Sequence, residues 1–485
     1  MNFKPVFHVI SWLLGVVGLL MGFCGLVSFL HGEPEPAWLA LGEAAVGTCV
    51  AAVLLWLATR TDQELSRRDG LGVVTFGWLV AGIAGAVPFY LSGTVASPWA
   101  ALFESVSGMT TTGASVIPVL EEIPKGLLLW RAITQFIGGM GVLILVVAIL
   151  PFAGAGGMQL FRAEMPGPSK DRIEPRVTST AKMLWGVYVL LTVMLMFLLR
   201  LGGLDWFDAV CHAFTTMATG GFSTRTVSIA AFHSTYVEGV LTVFMLLAGM
   251  NFSLHYRMLR GEVTVWWRDA EIRFFLGVFL ACALGGTAIL HHARAAAGGG
   301  WAASFREVAF TCSSIMTTTG FVTGDYEQWP VVLKVMLLLL MLMGGCAGST
   351  AGAIKVSRIQ LMLKAVIREI RLFMQPQAVI PVKLGRKFLE DDLLRAIISF
   401  VALYLLVAVL GVLAMLVFTP DIQTAVSAVA ACLGNVGPGF AAVGPMLNYA
   451  AIPDGGQLVL TLLMLAGRLE LYTVLAIFMP AFWRK

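Results

Sequence analysis

The chain has 485 residues, 58% of them apolar and only 12% charged, with a formal net charge of +4. Soluble domains carry about 25% charged residues, so this composition excludes a soluble globular protein and indicates an integral membrane one. Its apolar stretches are continuous rather than alternating, which excludes a β-barrel, and about ten of them reach the roughly 18 residues a spanning helix needs.

The first run, over 9–30, is too long for a signal-peptide core and has no small-residue cleavage site, so it is expected to remain as a helix. After HGEPEPAW a second run reaches about residue 56 and ends in TRTDQELSRRDG. Residues 1–69 are thus read as an added N-terminal pair of transmembrane helices. From residue 71 a span, a short window and a second span follow one another, and this order occurs four times. The span pairs are 71–91 with 127–150, 183–201 with 236–254, 274–290 with 331–354, and 396–418 with 457–480. They define modules at 70–153, 154–260, 261–374 and 375–485, the last preceded by a linker.

The four windows are AALFESVSGMTTTG, DAVCHAFTTMATGG, EVAFTCSSIMTTTG and TAVSAVAACLGNVG, ending at Gly113, Gly221, Gly320 and Gly437. They align without a gap and recur at intervals of about 100 to 117 residues. Each is too short to cross a bilayer and reads as a re-entrant helix that runs into an extended strand. Non-helical backbone at that depth must be buried in protein or line an aqueous cavity, so the four segments imply a shared space. Glycine-capped helix ends are the plainer reading of any one window, but not of four with the same flanks.

The basic residues orient the chain. With the windows on the outer side, the inner face carries Lys4, Arg60, Arg67, Arg68, the 162–182 group, Arg257, Arg260, Arg268, Arg273, the series from Lys355 to Arg395, Arg484 and Lys485, while the outer margins keep Lys125, Arg131, Arg200, Arg225, Arg294, Arg306 and Lys334. The bias is about three to one, which sets both termini in the cytoplasm. Each module crosses twice, so all four share one orientation and surround an axis along the membrane normal. The expected fold is therefore an all-α membrane protein with four tandem helix/pore-loop/helix modules about a pseudo-four-fold axis.

Such an axis suits ion passage, because rings of backbone carbonyls can replace a cation's hydration shell. Glycine permits the dihedrals that turn those carbonyls inward. The candidate ring residues are Thr111, Thr112 and Gly113; Thr219, Gly220 and Gly221; Thr318, Thr319 and Gly320; and Asn435, Val436 and Gly437. Their side chains point away from the axis, where threonine and valine are interchangeable. The windows hold no carboxylate ring at the strands, which favours a large monovalent cation over a divalent one. Glu104, Asp208, Glu307 and Asp421 lie near the starts of the short helices, where they either balance the helix dipole or draw cations to the mouth.

The motifs TTTGAS, ATGGFST, TTTGFVT and NVGPGF, together with GGCAGSTAGAIK and AGRLELYTVL, resemble the TrkH, TrkG and KtrB superfamily of potassium transporters, and most closely its TrkH branch. The resemblance covers essentially the whole chain, including the extra helix pair. It implies potassium-channel-like modules in a prokaryotic inner membrane, with K+ as the transported ion. It also implies homodimeric assembly and control by a cytoplasmic, nucleotide-binding TrkA-type subunit, and it associates glycine at the anchors with potassium preference. Asn435 and Pro438 make the fourth window depart from strict symmetry.

Two further features bear on gating. Residues 343–353, MGGCAGSTAGA, interrupt a span with Gly344, Gly345, Gly348, Ser349, Thr350 and Gly352. The glycine spacing fits small-residue helix packing, but the sequence has poor helix continuity, and a broken helix forming a gate under the strands is expected. Arg468 lies within the last span, at a cost of about 2.5 to 3.5 kcal/mol on insertion scales. It either pairs with another module or raises the barrier to cations. The basic stretch 355–392 is read as a face for anionic lipid or for the regulatory partner. Nucleotide motifs such as G-x-G-x-x-G are absent from the sequence, and neither nucleic-acid binding nor an intramembrane enzyme is expected. A proton- or sodium-coupled symporter is the alternative, with Glu470 the one carboxylate placed for a relay.

Overall fold

The computed structural model describes residues 1–63, 65–149, 174–294, 300–384, 387–388 and 391–483. The boundary expected at 153/154 and the basic residues Arg162, Lys170, Arg172, Arg386, Arg484 and Lys485 lie outside them. The apolar runs fold as helices: α1 (Phe3–Leu30), α2 (Glu35–Thr59), α3 (Arg67–Leu91), α4 (Pro98–Met109), α5 (Lys125–Ile149), α6 (Glu174–Leu201) and α7 (Trp206–Met217). Then come α8 (Thr235–Ala248), α9 (Phe252–Leu259), α10 (Val265–Arg268), α11 (Ala270–Arg294), α12 (Trp301–Met316), α13 (Val331–Leu342) and α14 (Val356–Met374). The chain closes with α15 (Asp391–Met415), α16 (Ile422–Leu433), α17 (Asp454–Arg468), α18 (Leu471–Phe478) and α19 (Pro480–Trp483).

The pair α1 and α2 packs as a hairpin, and α1 also lies against α3 and α5. Its turn is fixed to the first module by Glu33, whose carboxylate accepts from the N–H groups of Lys125 and, at 3.2 Å, Gly126. These are the first two residues of α5, so an acidic side chain satisfies donors that have no partner in their own helix and offsets its dipole.

Several expected spans are not continuous. Among the described residues six helices are long and apolar enough to cross a membrane, or eight if each bent pair counts as one span. The run expected over 236–254 is α8 and α9, bent by 103° at Gly249–Asn251, and that over 457–480 is α17 and α18, bent by 113°. The run from 331 stops as α13 at Leu342. Three of the four inner spans therefore break, each where the chain passes beneath a window. Apolar composition sets which residues can lie in a membrane, but it does not report where a neighbouring strand needs the space. The linker departs from the all-helical expectation in one detail: Lys383–Leu384 pairs antiparallel with Lys387–Phe388.

Candidate ion-conduction site

Each window begins as a short helix, α4, α7, α12 or α16, and these end in one common way. After the cap residue, the next backbone is left-handed at Thr111 (φ 53°), Thr219 (φ 53°), Thr318 (φ 57°) and Asn435 (φ 54°). The N–H groups of Thr112, Gly220, Thr319 and Val436 then reach back to the carbonyls of Ser107, Thr215, Ser314 and Ala431 at 2.8–2.9 Å. This is a Schellman termination with threonine where glycine is usual. A β-branched residue at positive φ is strained, and three of them recur at one position, which marks the turn as built for a purpose. The glycine expectation covered the anchors alone and missed these residues. Two places on, φ is again positive at Gly113 (81°), Gly221 (74°), Gly320 (82°) and Gly437 (101°).

The four strands close on one another in chain order. A Cβ built on Gly113 would lie 2.1 Å from the carbonyl oxygen of Gly220, and one on Gly221 1.8 Å from that of Thr319. On Gly320 it would meet the Val436 oxygen at 2.1 Å, and on Gly437 the Thr112 oxygen at 2.6 Å. Each anchor thus abuts the carbonyl preceding the next anchor, and the fourth returns to the first. No side chain fits at any of the four positions.

Hydrogen bonding separates the strands into two parts. Two residues beyond each anchor, the carbonyls of Ser115, Ser223, Val322 and Gly439 accept from Tyr449 N, Arg131 Nη1, Ala230 N and the Tyr326 hydroxyl at 2.8 to 3.2 Å. Of the twelve candidate residues, by contrast, only Gly220 and Gly437 have carbonyls that accept a bond from a described residue, from Gln135 Nε2 and the Tyr449 hydroxyl, both at 2.7 Å. Buried carbonyls are nearly always paired, so a set in which most have no protein donor suits an electropositive guest.

Side chains brace these strands from behind. The Thr112 hydroxyl meets that of Thr110 at 2.7 Å and accepts from Asn435 Nδ2 at 3.0 Å, and Thr319 pairs with Thr317 at 2.8 Å. The second strand has glycine at this place, and Gln135 fills it. Gln135 Nε2 donates to Gly220 O and its Oε1 accepts from Phe222 N at 3.1 Å. Sequence reading missed Gln135 because it comes from the first module and acts on the second.

The acidic residues divide. Asp421 caps α16, accepting from Gln423 N and Thr424 N, and Asp208 lies in the first turn of α7, as a dipole role requires. Glu104 and Glu307 instead sit in the middle of α4 and α12. Glu104 is fully buried, bonds Arg131 Nε at 2.8 Å and accepts from Val116 N at 2.9 Å. Arg131 reaches on to Ser223 O and lies 4.0 Å from the Phe222 ring centroid, so this ion pair joins the first two strands rather than facing the mouth. Glu307 is held by Arg294 at 2.6 Å and by the Trp329 indole.

Beneath the strands lies the segment between α13 and α14. It folds back through a parallel bridge of Met343 and Ile354, with Gly344 N donating to Ile354 O at 2.9 Å and Val356 N to Gly345 O at 3.1 Å. Cys346 N donates to Gly249 O and Phe252 N to Gly348 O, which fastens the loop into the break between α8 and α9. The Thr350 hydroxyl lies 3.0 Å from Met217 O and 3.2 Å from Ala248 O, Ser349 turns back to Cys346 O, and Gly352 N donates to the Thr318 hydroxyl at 2.8 Å. Gly344, Gly345 and Gly352 allow close backbone approach: a Cβ there would come within 2.0 to 2.6 Å of the carbonyl oxygens of Gly352, Gly249 and Gly434.

Arg468 is not in the middle of a straight span but is the last residue of α17, at the bend. It is buried and donates to Thr350 O at 2.7 Å and to Gly138 O at 3.3 Å. Its bonds go to carbonyls of the loop and of α5, and no acidic side chain pairs with it among the described residues. Glu470 instead pairs with Arg358 at 2.9 Å, away from the strands.

A many-helix membrane chain with re-entrant segments, bent spans and a closed set of strands whose carbonyls are mostly without protein donors belongs to the class of ion-translocating membrane proteins. A sequence model of the TrkH family, described as a cation transport protein, matches residues 41–485. The chain belongs to this family, whose members are transporters and not enzymes. It is 38% identical, over the full length of both chains, to the Trk system potassium uptake protein TrkH of Escherichia coli strain K12, and 36% identical to TrkG of the same strain over 90% of each. The crystal structure of the potassium transporter TrkH from Vibrio parahaemolyticus superposes with a TM-score of 0.91 at 35% identity, covering both chains completely.

Proposed function

We propose that this protein takes up potassium across a prokaryotic inner membrane through a selectivity filter of backbone carbonyls. The observation that carries this reading is the closed set of four strands, in which ten of the twelve candidate carbonyls accept no bond from a described residue, since a partly dehydrated monovalent cation is the guest such oxygens accept. Thr111 to Gly113, Thr219 to Gly221, Thr318 to Gly320 and Asn435 to Gly437 supply the rings. In this reading modules 70–153, 154–260, 261–374 and 375–485 surround a pseudo-four-fold axis, and both termini are cytoplasmic. The relatives named for potassium uptake support the choice of ion.

The loop of Gly344, Gly345, Gly348, Ser349, Thr350 and Gly352 acts as the gate, and Arg468 holds it shut while placing positive charge under the filter. Partners are a second copy of the chain and a cytoplasmic TrkA-type nucleotide-binding subunit. Helix α14 is the docking element for these partners, since it combines basic residues with the exposed Ile370, Phe373 and Met374. Rubidium uptake into proteoliposomes tests the function: potassium competes, sodium does not, and an imposed pH gradient has no effect. A flux that follows the pH gradient would instead support the coupled symporter, although the engagement of Glu470 with Arg358 leaves that carboxylate poorly placed for a relay.

A further inference from the structure

The intramembrane loop is also pinned at the end remote from the strands. Glu271, the second residue of α11, presents one carboxylate oxygen to two backbone donors: Oε1 lies 2.8 Å from Ala347 N and 3.1 Å from Ser357 N. The first donor lies within the loop, just after Cys346, and the second in the opening turn of α14. That turn needs an external acceptor, because the Lys355 side chain does not cap it and the N–H groups of a first turn have no carbonyl within their helix. A carboxylate there is doubly suited, by charge-assisted bonding and by the helix dipole. Glu271 is itself fixed, since Asp269 Oδ1 accepts from Glu271 N at 3.0 Å and from Ile272 N at 2.9 Å. The same turn of α14 is gripped from another side by the Arg358–Glu470 pair at the α17–α18 bend.

We propose that Glu271 is a gate-positioning residue: a single carboxylate oxygen ties the intramembrane loop at Ala347 to the opening turn of α14 at Ser357, so the loop leaves Thr318 and Arg468 only when that oxygen releases Ala347 or Ser357. This rests on the reading of the loop as a gate. Glu271 touches no candidate filter residue, so its action is on the loop's position and not on the ion.

Single-channel recording of the full chain in potassium solutions tests it. Glu271→Ala raises open probability about tenfold, as expected for the loss of a charge-assisted acceptor shared by two donors. Glu271→Gln, which keeps an acceptor oxygen without the charge, falls between Ala and wild type. Unitary conductance and the potassium-to-sodium permeability ratio stay at wild-type values, which a general loosening of the fold would change. A second measurement needs no conduction: maleimide labelling in membranes, located by mass spectrometry, becomes faster at Cys346, a fully buried loop residue, in either variant. Unchanged open probability with unchanged Cys346 labelling overturns the proposal, as does any shift in conductance or permeability ratio alongside open probability. Failure of the wild type to pass a potassium-selective current counts against the gate reading instead, and the labelling result then decides the role of Glu271 alone.

Discussion

The window strands and the loop beneath them are both short, glycine-rich and non-helical at membrane depth, yet their backbones are used in opposite ways. In the strands most of the candidate carbonyls accept nothing from the protein, whereas in the loop the N–H groups of Gly344, Cys346, Ala347, Gly352, Ile354 and Val356 all find acceptors. Their glycines differ as well. The anchors need positive φ and close backbone approach together, while Gly344, Gly345 and Gly352 lie outside the positive-φ set and serve close approach alone. A mostly unpaired acceptor set suits a cation. A set of exchanged hydrogen bonds holds position and can be traded for others at modest cost, since a typical one contributes about 1 kcal/mol net. In the proposed reading, that contrast separates the filter from the gate.

The comparison breaks most severely at an anchor. Gly221→Ala places a methyl group where the Thr319 oxygen lies 1.8 Å away, and the combined clash and strain amount to about 3–5 kcal/mol. Selective rubidium uptake is expected to disappear, and retained selectivity at normal expression would show that the strands do not close on one another. A smaller effect is expected behind the second strand. Gly220→Thr alone drives a side chain into Gln135, 2.4 Å from the added Cβ, and weakens selectivity. Combining it with Gln135→Ala makes room for the threonine found in the first and third strands, so the double variant should recover toward wild type. Additive losses in that cycle would count against direct coupling of the two residues.

The loop responds in the other direction. Arg468→Ala removes the bonds to Thr350 O and Gly138 O and is expected to increase rubidium flux about tenfold, near 1.4 kcal/mol. Equal or lower flux at matched protein would place the arginine in packing alone. Thr350→Val keeps the shape and deletes one hydroxyl shared by Met217 O and Ala248 O, so a smaller rise of about threefold is expected, without any change in ion preference. If Thr350→Val altered the potassium-to-sodium ratio, loop and filter would be one unit rather than two.

Much of this was legible without coordinates. Composition fixed the membrane class, and the four aligned windows gave both the repeat and its twelve candidate residues, because a local backbone requirement leaves its mark in local sequence. The interruption at MGGCAGSTAGA was visible for the same reason, and helix α13 does stop at Leu342. The bends at Gly249–Asn251 and after Arg468 were not expected, although Asn251 stands at the first and the charged Arg468 and Glu470 at the second, because the crowding beneath the strands leaves no local mark. Nor could the left-handed threonines be expected, as intrinsic preference disfavours that conformation and the Schellman bonds impose it.

The sequence by itself determined where this chain meets lipid, how often its unit repeats and which glycines it cannot replace, all of which follow from properties carried within a few neighbouring residues. The tertiary structure alone decided what those residues face. It set Gln135 behind Gly220, Arg131 across two strands, Arg468 on the Thr350 carbonyl and Glu271 between Ala347 of the loop and Ser357 of α14. Each of these contacts joins elements far apart in the chain, where spacing carries no signal and only the folded geometry brings donor to acceptor.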